Sequence, residues 1–184
     1  MYKYQKLFLL LSIIFLFSCV QDDKVEYALT VAKNNRFELE KVLNHYKKDP
    51  DKYKAACFLI ENMPYHYTYE GWQIDTLKAL KKASINNGRI NDSIVNLWKN
   101  FDYTKLPKIE DVCVADAKTI IENIDLAFNV WNKRPWKRYY NFNDFCEYIL
   151  PYRISDEPFE NWRYIYYHKY SHILDSLYHG NDVI

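Results

Sequence analysis

The sequence predicts an all-α protein, folded as an irregular bundle of several helices. Apolar residues recur every three or four positions through most of the 184-residue chain, which is the period of a helix with one buried face. Only 3 Gly and 6 Pro interrupt it, and no stretch alternates apolar and polar residues long enough to predict a strand. Aromatic residues make up 18% of the chain, which excludes a disordered protein.

The first two predicted helices have clear starting signals. Asn35 is followed three residues later by Glu38, which predicts a capping box with Asn35 as the N-cap. Asp49 precedes Pro50, a pair typical of an N-cap and a first helical residue. The second helix is expected to stop before Pro64, because proline cannot continue a helix.

Two shorter helices are predicted in the middle of the chain. The polar and aromatic stretch "YHYTYEG", residues 65–71, is expected to be a connection without regular structure. Residues 72–84 carry helical apolar spacing and are followed by "NNG", a common helix end. Apolar residues spaced over 94–101 predict a further helix before the next proline.

Three helices are predicted in the second half. The longest covers about residues 108–132, where the apolar repeat is unbroken. A short helix over 142–149 ends before Pro151, and the last covers roughly 159–179. Gly180 follows the last helix in the position that glycine commonly takes.

The N-terminus predicts export and lipid attachment. The stretch "MYKYQKLFLLLSIIFLFSC" has two lysines followed by an apolar run too short to span a membrane comfortably. Its end, Leu16-Phe17-Ser18-Cys19, resembles a bacterial lipobox. The resemblance implies cleavage before Cys19 and acylation with palmitate-like chains. Each buried CH₂ contributes about 0.8 kcal/mol, so several chains anchor firmly.

This segment sets the predicted domain organisation and location. Residues 1–18 are predicted to be the signal peptide, 19–33 a lipidated tether and 34–184 the helical domain. The residue after Cys19 is not Asp, and an acidic pair follows at positions 22 and 23, similar to export signals of surface-displayed lipoproteins. An outer-membrane lipoprotein in the cell envelope is therefore expected. The alternatives are an ordinary cleaved signal or an N-terminal anchor helix.

The charge balance predicts a membrane partner and no nucleic acid. The formal net charge is +1, and removal of Lys3 and Lys6 with the signal peptide changes it to −1. A nucleic-acid-binding domain normally carries a strong positive excess. The only partners predicted from the sequence are the bilayer, through Cys19, and a neighbouring protein domain.

The three remaining cysteines are predicted to be structural. Cys57, Cys113 and Cys146 each fall on the apolar side of a predicted helix, where a free cysteine behaves as a small hydrophobic residue. Acidic residues surround Cys113 and Cys146, and negative charge disfavours the reactive thiolate. An oxidising periplasm would permit one disulfide among the three, and the sequence leaves the pair open.

The last predicted helix carries a stripe of possible metal ligands. His168, His172, Asp175 and His179 follow one another at helical spacing and share one face. The large apolar residues lie on the opposite side, and four ligands along one straight helix cannot close a single tetrahedral shell. A solvated polar face is therefore the favoured interpretation, and no metal or other cofactor is predicted.

The carboxylates before the last helix are predicted to have a structural role. Asp156, Glu157 and Glu160 lie within five residues of one another, whereas a glycosidase needs two carboxylates on opposite sides of its substrate. Glu160 is instead expected in the first helical turn, where negative charge is favourable. Arg153 and Arg163 are expected to pair with these acids.

Three motifs support a family resemblance. The stretches "KVLNHYKKDPDKYKAACFLIENMPYHYTY", "IENIDLAFNVWNKRPW" and "FCEYILPYRISDEPFENWR" occur in this order. They resemble the helical N-terminal region of large bacterial lipoproteins that carry a transglutaminase-like domain. The resemblance covers nearly all of residues 34–170. In that family the helical region stands just before a papain-like core, whose cysteine, histidine and aspartate act on amide bonds.

The resemblance implies a non-catalytic accessory domain. The chain ends at Ile184, where the family's core would begin, and none of its cysteines has the context of the catalytic one. No catalytic residue is therefore assigned. The third motif is expected to form the seam with a downstream amidase, peptidase or transamidase domain, through Arg153, Glu157, Trp162 and Arg163.

Two other functions remain open from the sequence. Exposed Tyr and Trp side chains could stack on sugar rings, which would make the chain a glycan- or protein-binding module of the cell surface. Peptidase activity of the chain itself would require a reactive thiol at Cys113 or Cys146.

Overall fold

The computed structural model describes residues 23–87, 92–153 and 159–178, and it confirms the all-α fold class. In this part of the chain, eight α-helices surround one small two-stranded sheet. The helices are α1 at residues 23–31, α2 (Arg36–His45), α3 (Pro50–Asn62), α4 (Trp72–Asn87), α5 (Asp92–Asn100), α6 (Ala117–Lys133), α7 (Phe142–Tyr148) and α8 (Trp162–Tyr178). Cys19, Glu157, His179 and Gly180 lie outside the described residues.

Local capping signals explain three of the helix starts. Asp49 accepts a hydrogen bond from the Lys52 amide with Pro50 at the first position, which confirms that predicted start. Asp116 caps α6 in the same manner. Asn141 and the third helical residue form a reciprocal capping box at α7.

The capping box predicted at Asn35 is wrong. The Asn35 amide group donates instead to the carbonyls of Val112 and Ala115, at 3.0 and 2.9 Å. Glu38 accepts a hydrogen bond from the Ala117 amide at 3.0 Å. The side chains of Asn35 and Glu38 bind these backbone groups in place of the backbone amides of α2. Both side chains therefore connect the start of α2 to the segment that leads into α6.

A short sheet occupies sequence that was predicted as loop and helix. Strand β1 (Tyr67–Tyr69) pairs antiparallel with β2 (Lys108–Glu110), with Thr68 opposite Ile109. A 3₁₀ turn (Asp111–Cys113) follows β2, so α6 begins at Ala117 and not near 108. Apolar residues before 117 fit the helical period by coincidence, since three-residue strands have too little length to show their own period.

The main core forms where α6 crosses the N-terminal helices. Buried residues of α6 include Ile120, Ile124 and Ala127, and α6 contacts α2, α3 and α8. Residues 23–31 were predicted to belong to a tether, yet α1 places Val25 and Leu29 in this core. The helical domain therefore begins before residue 34. Within the described residues no helix has the length and apolar character to cross a bilayer.

A smaller core lies beneath α4. Tyr69, Ile74 and Leu77 are buried together, and Leu106 packs against them. Gly71, just before α4, has φ +141°, a conformation that favours glycine. The predicted helix over 72–84 is confirmed and extends to residue 87.

Candidate functional site

The five residues after α7 form a backbone segment that side chains of α6 and α8 bind through hydrogen bonds. We call Ile149–Arg153 the clamped segment. Asn123 of α6 donates to the Leu150 carbonyl at 2.8 Å. Arg163 of α8 donates to the carbonyls of Ile149 and Pro151, at 2.5 and 3.0 Å. Trp162 donates its indole N–H to the Tyr152 carbonyl. Four consecutive carbonyls are thus bound by side chains from two helices.

A buried ion pair holds the last residue of the clamped segment. Arg153 Nη1 lies 2.5 Å from Asp111 Oδ2, and the two side chains are 3% and 0% exposed. The Tyr152 hydroxyl donates to the same carboxylate oxygen at 2.9 Å. Arg153 also donates to the Tyr67 carbonyl at 2.9 Å, which ties the segment to β1. Two charges removed from water need these extra bonds to offset their desolvation.

Arg163 is a partly buried cation without a carboxylate partner among the described residues. Its Nε donates to Asn123 Oδ1 at 2.7 Å, and its Nη2 makes the two bonds to the clamped segment. Burial lowers the pKa of Arg163 to about 10. Carbonyl and amide oxygens carry only partial charges, so the positive charge of this guanidinium is incompletely balanced.

Two clefts flank the clamped segment. The smaller has a volume of about 230 Å³, and its lining includes Asn62, His66 and Tyr152. Burial and the charge of Arg153 lower the pKa of His66, while Asp111 acts in the opposite direction. The larger cleft has a volume of about 510 Å³. Aromatic and charged side chains contribute to its lining, among them Trp136, Glu147, Tyr148, Arg153, Trp162 and Arg163.

The thiols near this site are poor nucleophiles. Burial, followed by the charges of Glu147 and Glu61, raises the pKa of Cys146 to about 12. Burial and Glu110 raise the pKa of Cys113, against a smaller opposing effect of a lysine. A thiol attacks as its thiolate, so the shift makes Cys146 nearly inert at neutral pH and lowers the reactivity of Cys113.

None of the three described cysteines forms a disulfide with another described residue. Cys57 and Cys146 are buried, and Cys113 is half-buried, with its Sγ donating to the Val31 carbonyl at 3.6 Å. The disulfide that the sequence left open is therefore absent from the described residues.

The histidine stripe on α8 forms no metal site in the part of the chain that the structure covers. His168 and His172 are exposed, and no three metal-binding side chains converge among the described residues. The side chain of Asp175 and all of His179 lie outside that part. The ring of His168 instead contacts that of Tyr164, with centroids 4.2 Å apart.

Two predicted contacts of the carboxylate region differ from the structure. Glu160 precedes α8 and pairs with Lys81 of α4. The Tyr164 amide donates to Asn161 at 3.4 Å, which gives α8 its start. Arg153 pairs with Asp111, a residue 42 positions earlier, which the predicted local pairing missed. The sequence around residue 111 carries several acids, and nothing in it distinguishes the buried one.

The structure brings together three of the four residues predicted at a domain seam. Arg153, Trp162 and Arg163 all contact the clamped segment or belong to it. Asp111 and Asn123 are the site residues that the sequence did not reveal. One feature of the sequence could have identified Asn123, because it is a polar residue within the apolar stripe of α6. In the structure it is 2% exposed. Buried amides of this kind are normally hydrogen-bonded for a structural purpose.

These features define an all-α domain whose α8 helix is held to the rest by a clamped backbone segment. Comparisons with protein-family models, with curated proteins and with solved structures returned no match to this chain. The resemblance to transglutaminase-like lipoproteins therefore depends on the three quoted motifs alone.

Proposed function

We propose that this chain is a lipid-anchored accessory domain that positions a transglutaminase-like domain at the bacterial surface and does not itself turn over a substrate. The observation that carries the proposal is the clamped segment. Its four bound carbonyls fix the start of α8 relative to α6 and α7. A fixed joint of this kind is what a positioning domain requires.

The direction of α8 is set by its first two residues. Trp162 and Arg163 both donate hydrogen bonds to the clamped segment. A 17-residue helix is about 25 Å long. Along its length, α8 exposes Tyr164, Tyr170 and Ile173 at 43%, 38% and 44%. A rigid helix with exposed large side chains is a suitable surface for a neighbouring domain.

The N-terminal side supports membrane attachment at close range. The first described helical residue is Asp23, four positions after Cys19. Four residues span at most roughly 14 Å. A lipid on Cys19 would therefore hold the helical domain next to the bilayer, and α1 would transmit that placement because it is part of the main core.

Replacing Cys19 with alanine is expected to abolish lipid attachment to the chain. Cys19 is the acceptor in the lipobox-like motif, and without it only an unlipidated chain can form. Cells grown with alkyne-palmitate would be fractionated and the chain probed for the label. Cys113→Ala is the matched control, since it removes a thiol within the folded domain. Label retained in Cys19→Ala, or lost in Cys113→Ala, would contradict the proposal.

A further inference from the structure

The larger cleft combines aromatic walls with a partly buried cation that has no carboxylate partner among the described residues. Trp136, Tyr148 and Trp162 line it together with Arg163. The Arg163 guanidinium lies 4.9 Å from the ring centroid of Trp162. The indole N–H of Trp162 is already bound to the Tyr152 carbonyl, so that ring is held in place. A volume of about 510 Å³ is in the range of small-ligand sites.

Arg163 retains hydrogen-bonding capacity. Its Nε and Nη2 make three bonds, and Nη1 donates none among the residues that the structure describes. The other arginine of the cleft, Arg153, is already paired with Asp111. A guanidinium with free donors binds a carboxylate strongly, because the bond is charge-assisted and the local dielectric is low.

We infer that the larger cleft binds a uronic-acid unit of an acidic glycan, with its carboxylate on Arg163 and its ring against Trp136, Tyr148 or Trp162. Flat aromatic faces suit the C–H face of a sugar ring, and Glu147 supplies acceptors for its hydroxyl groups. This binding activity is additional to the positioning role and does not depend on lipid attachment.

A peptide with a free carboxylate fits the cleft less well. Its backbone would need hydrogen-bond partners, and the described lining comes from α6, α7, α8 and their connections, with no strand edge. Lys133 and Lys137 lie on either side of Trp136 in the sequence, and both are exposed. A polyanionic glycan gains from such a surrounding charge because its acid groups repeat along the chain.

The test compares three ligands that differ in one group. The full-length chain would be purified in a detergent without a sugar headgroup and titrated with D-glucuronate, its methyl ester and glucose. Tryptophan fluorescence and calorimetry would measure binding. For one monosaccharide we expect a Kd on the order of 1 mM for glucuronate. The ester and glucose should bind about tenfold or more weakly, since both lack the anionic partner of Arg163.

Two surface variants provide the protein-side control. Tyr148→Ala removes one wall of the cleft and should weaken glucuronate binding severalfold. Tyr65→Ala, at a tyrosine 73% exposed and outside this lining, should leave it unchanged. Equal affinity for glucuronate and its ester, or no saturation at about tenfold above the expected Kd, would overturn the inference. So would tighter binding of an acetylated tripeptide with a free C-terminal carboxylate.

Discussion

Replacing Asp111 with alanine is expected to lower the free energy of unfolding by about 3–5 kcal/mol. The substitution leaves Arg153 charged and buried, at 3% side-chain exposure, without its carboxylate. It also removes the acceptor of the Tyr152 hydroxyl. Urea unfolding followed by circular dichroism would measure the change. Few single substitutions lower the free energy of unfolding by this much, and removal of the partner of a buried charge is one of them.

Glu110→Ala is the matched control for Asp111→Ala. It removes the same charge from the preceding residue, which is exposed, and should change stability by no more than about 0.5 kcal/mol. The double substitution Asp111→Leu with Arg153→Met should recover much of the loss, because no buried charge remains. A loss below about 1 kcal/mol for Asp111→Ala would show that the ion pair does not hold the clamped segment.

Replacing Phe145 with alanine should also cost about 3–5 kcal/mol. Phe145 is fully buried and stacks on Trp131 with ring centroids 4.3 Å apart, and it meets Phe128 edge-on at 4.8 Å. Truncation removes these contacts and leaves a cavity that the surrounding rings cannot fill without leaving their own positions. Because α7 leads directly into the clamped segment, loss of this anchor should loosen the segment as well.

Tyr148→Ala tests the same helix without touching the core. Tyr148 is 79% exposed, so its truncation should alter the free energy of unfolding by no more than about 0.5 kcal/mol. Amide hydrogen exchange would follow the clamped segment in both variants. Equal stability of Phe145→Ala and Tyr148→Ala would contradict the assigned packing of α7.

The fold class was predictable because helical periodicity is a local property. The start of α3 was also predictable, because its capping interaction is local. Asp49 accepts a hydrogen bond from the amide of Lys52, three residues later, as the sequence predicted. The start of α6 was not predictable in this way. Ile109, Val112 and Cys113 continue the helical period, yet the pairing of residue 109 with Thr68 decides their conformation.

The candidate site depended on contacts that no local pattern records. Arg153 was predicted to pair with acids a few residues away, and its described carboxylate partner is Asp111. Asn35 carried a convincing capping motif and bonds instead to carbonyls 77 and 80 positions later. In both cases the competing partner becomes available only when distant segments are packed together.

The inert state of the thiols is the physical claim on which a positioning role depends, and alkylation kinetics test it most directly. Iodoacetamide would be added to the native and the urea-unfolded chain at pH 7, and modification of each cysteine followed by mass spectrometry. Burial raises the pKa of Cys146 to about 12, so its thiolate fraction and its native rate should fall at least about a hundredfold relative to the unfolded chain. A native rate at Cys146 equal to or above the unfolded rate would contradict the account.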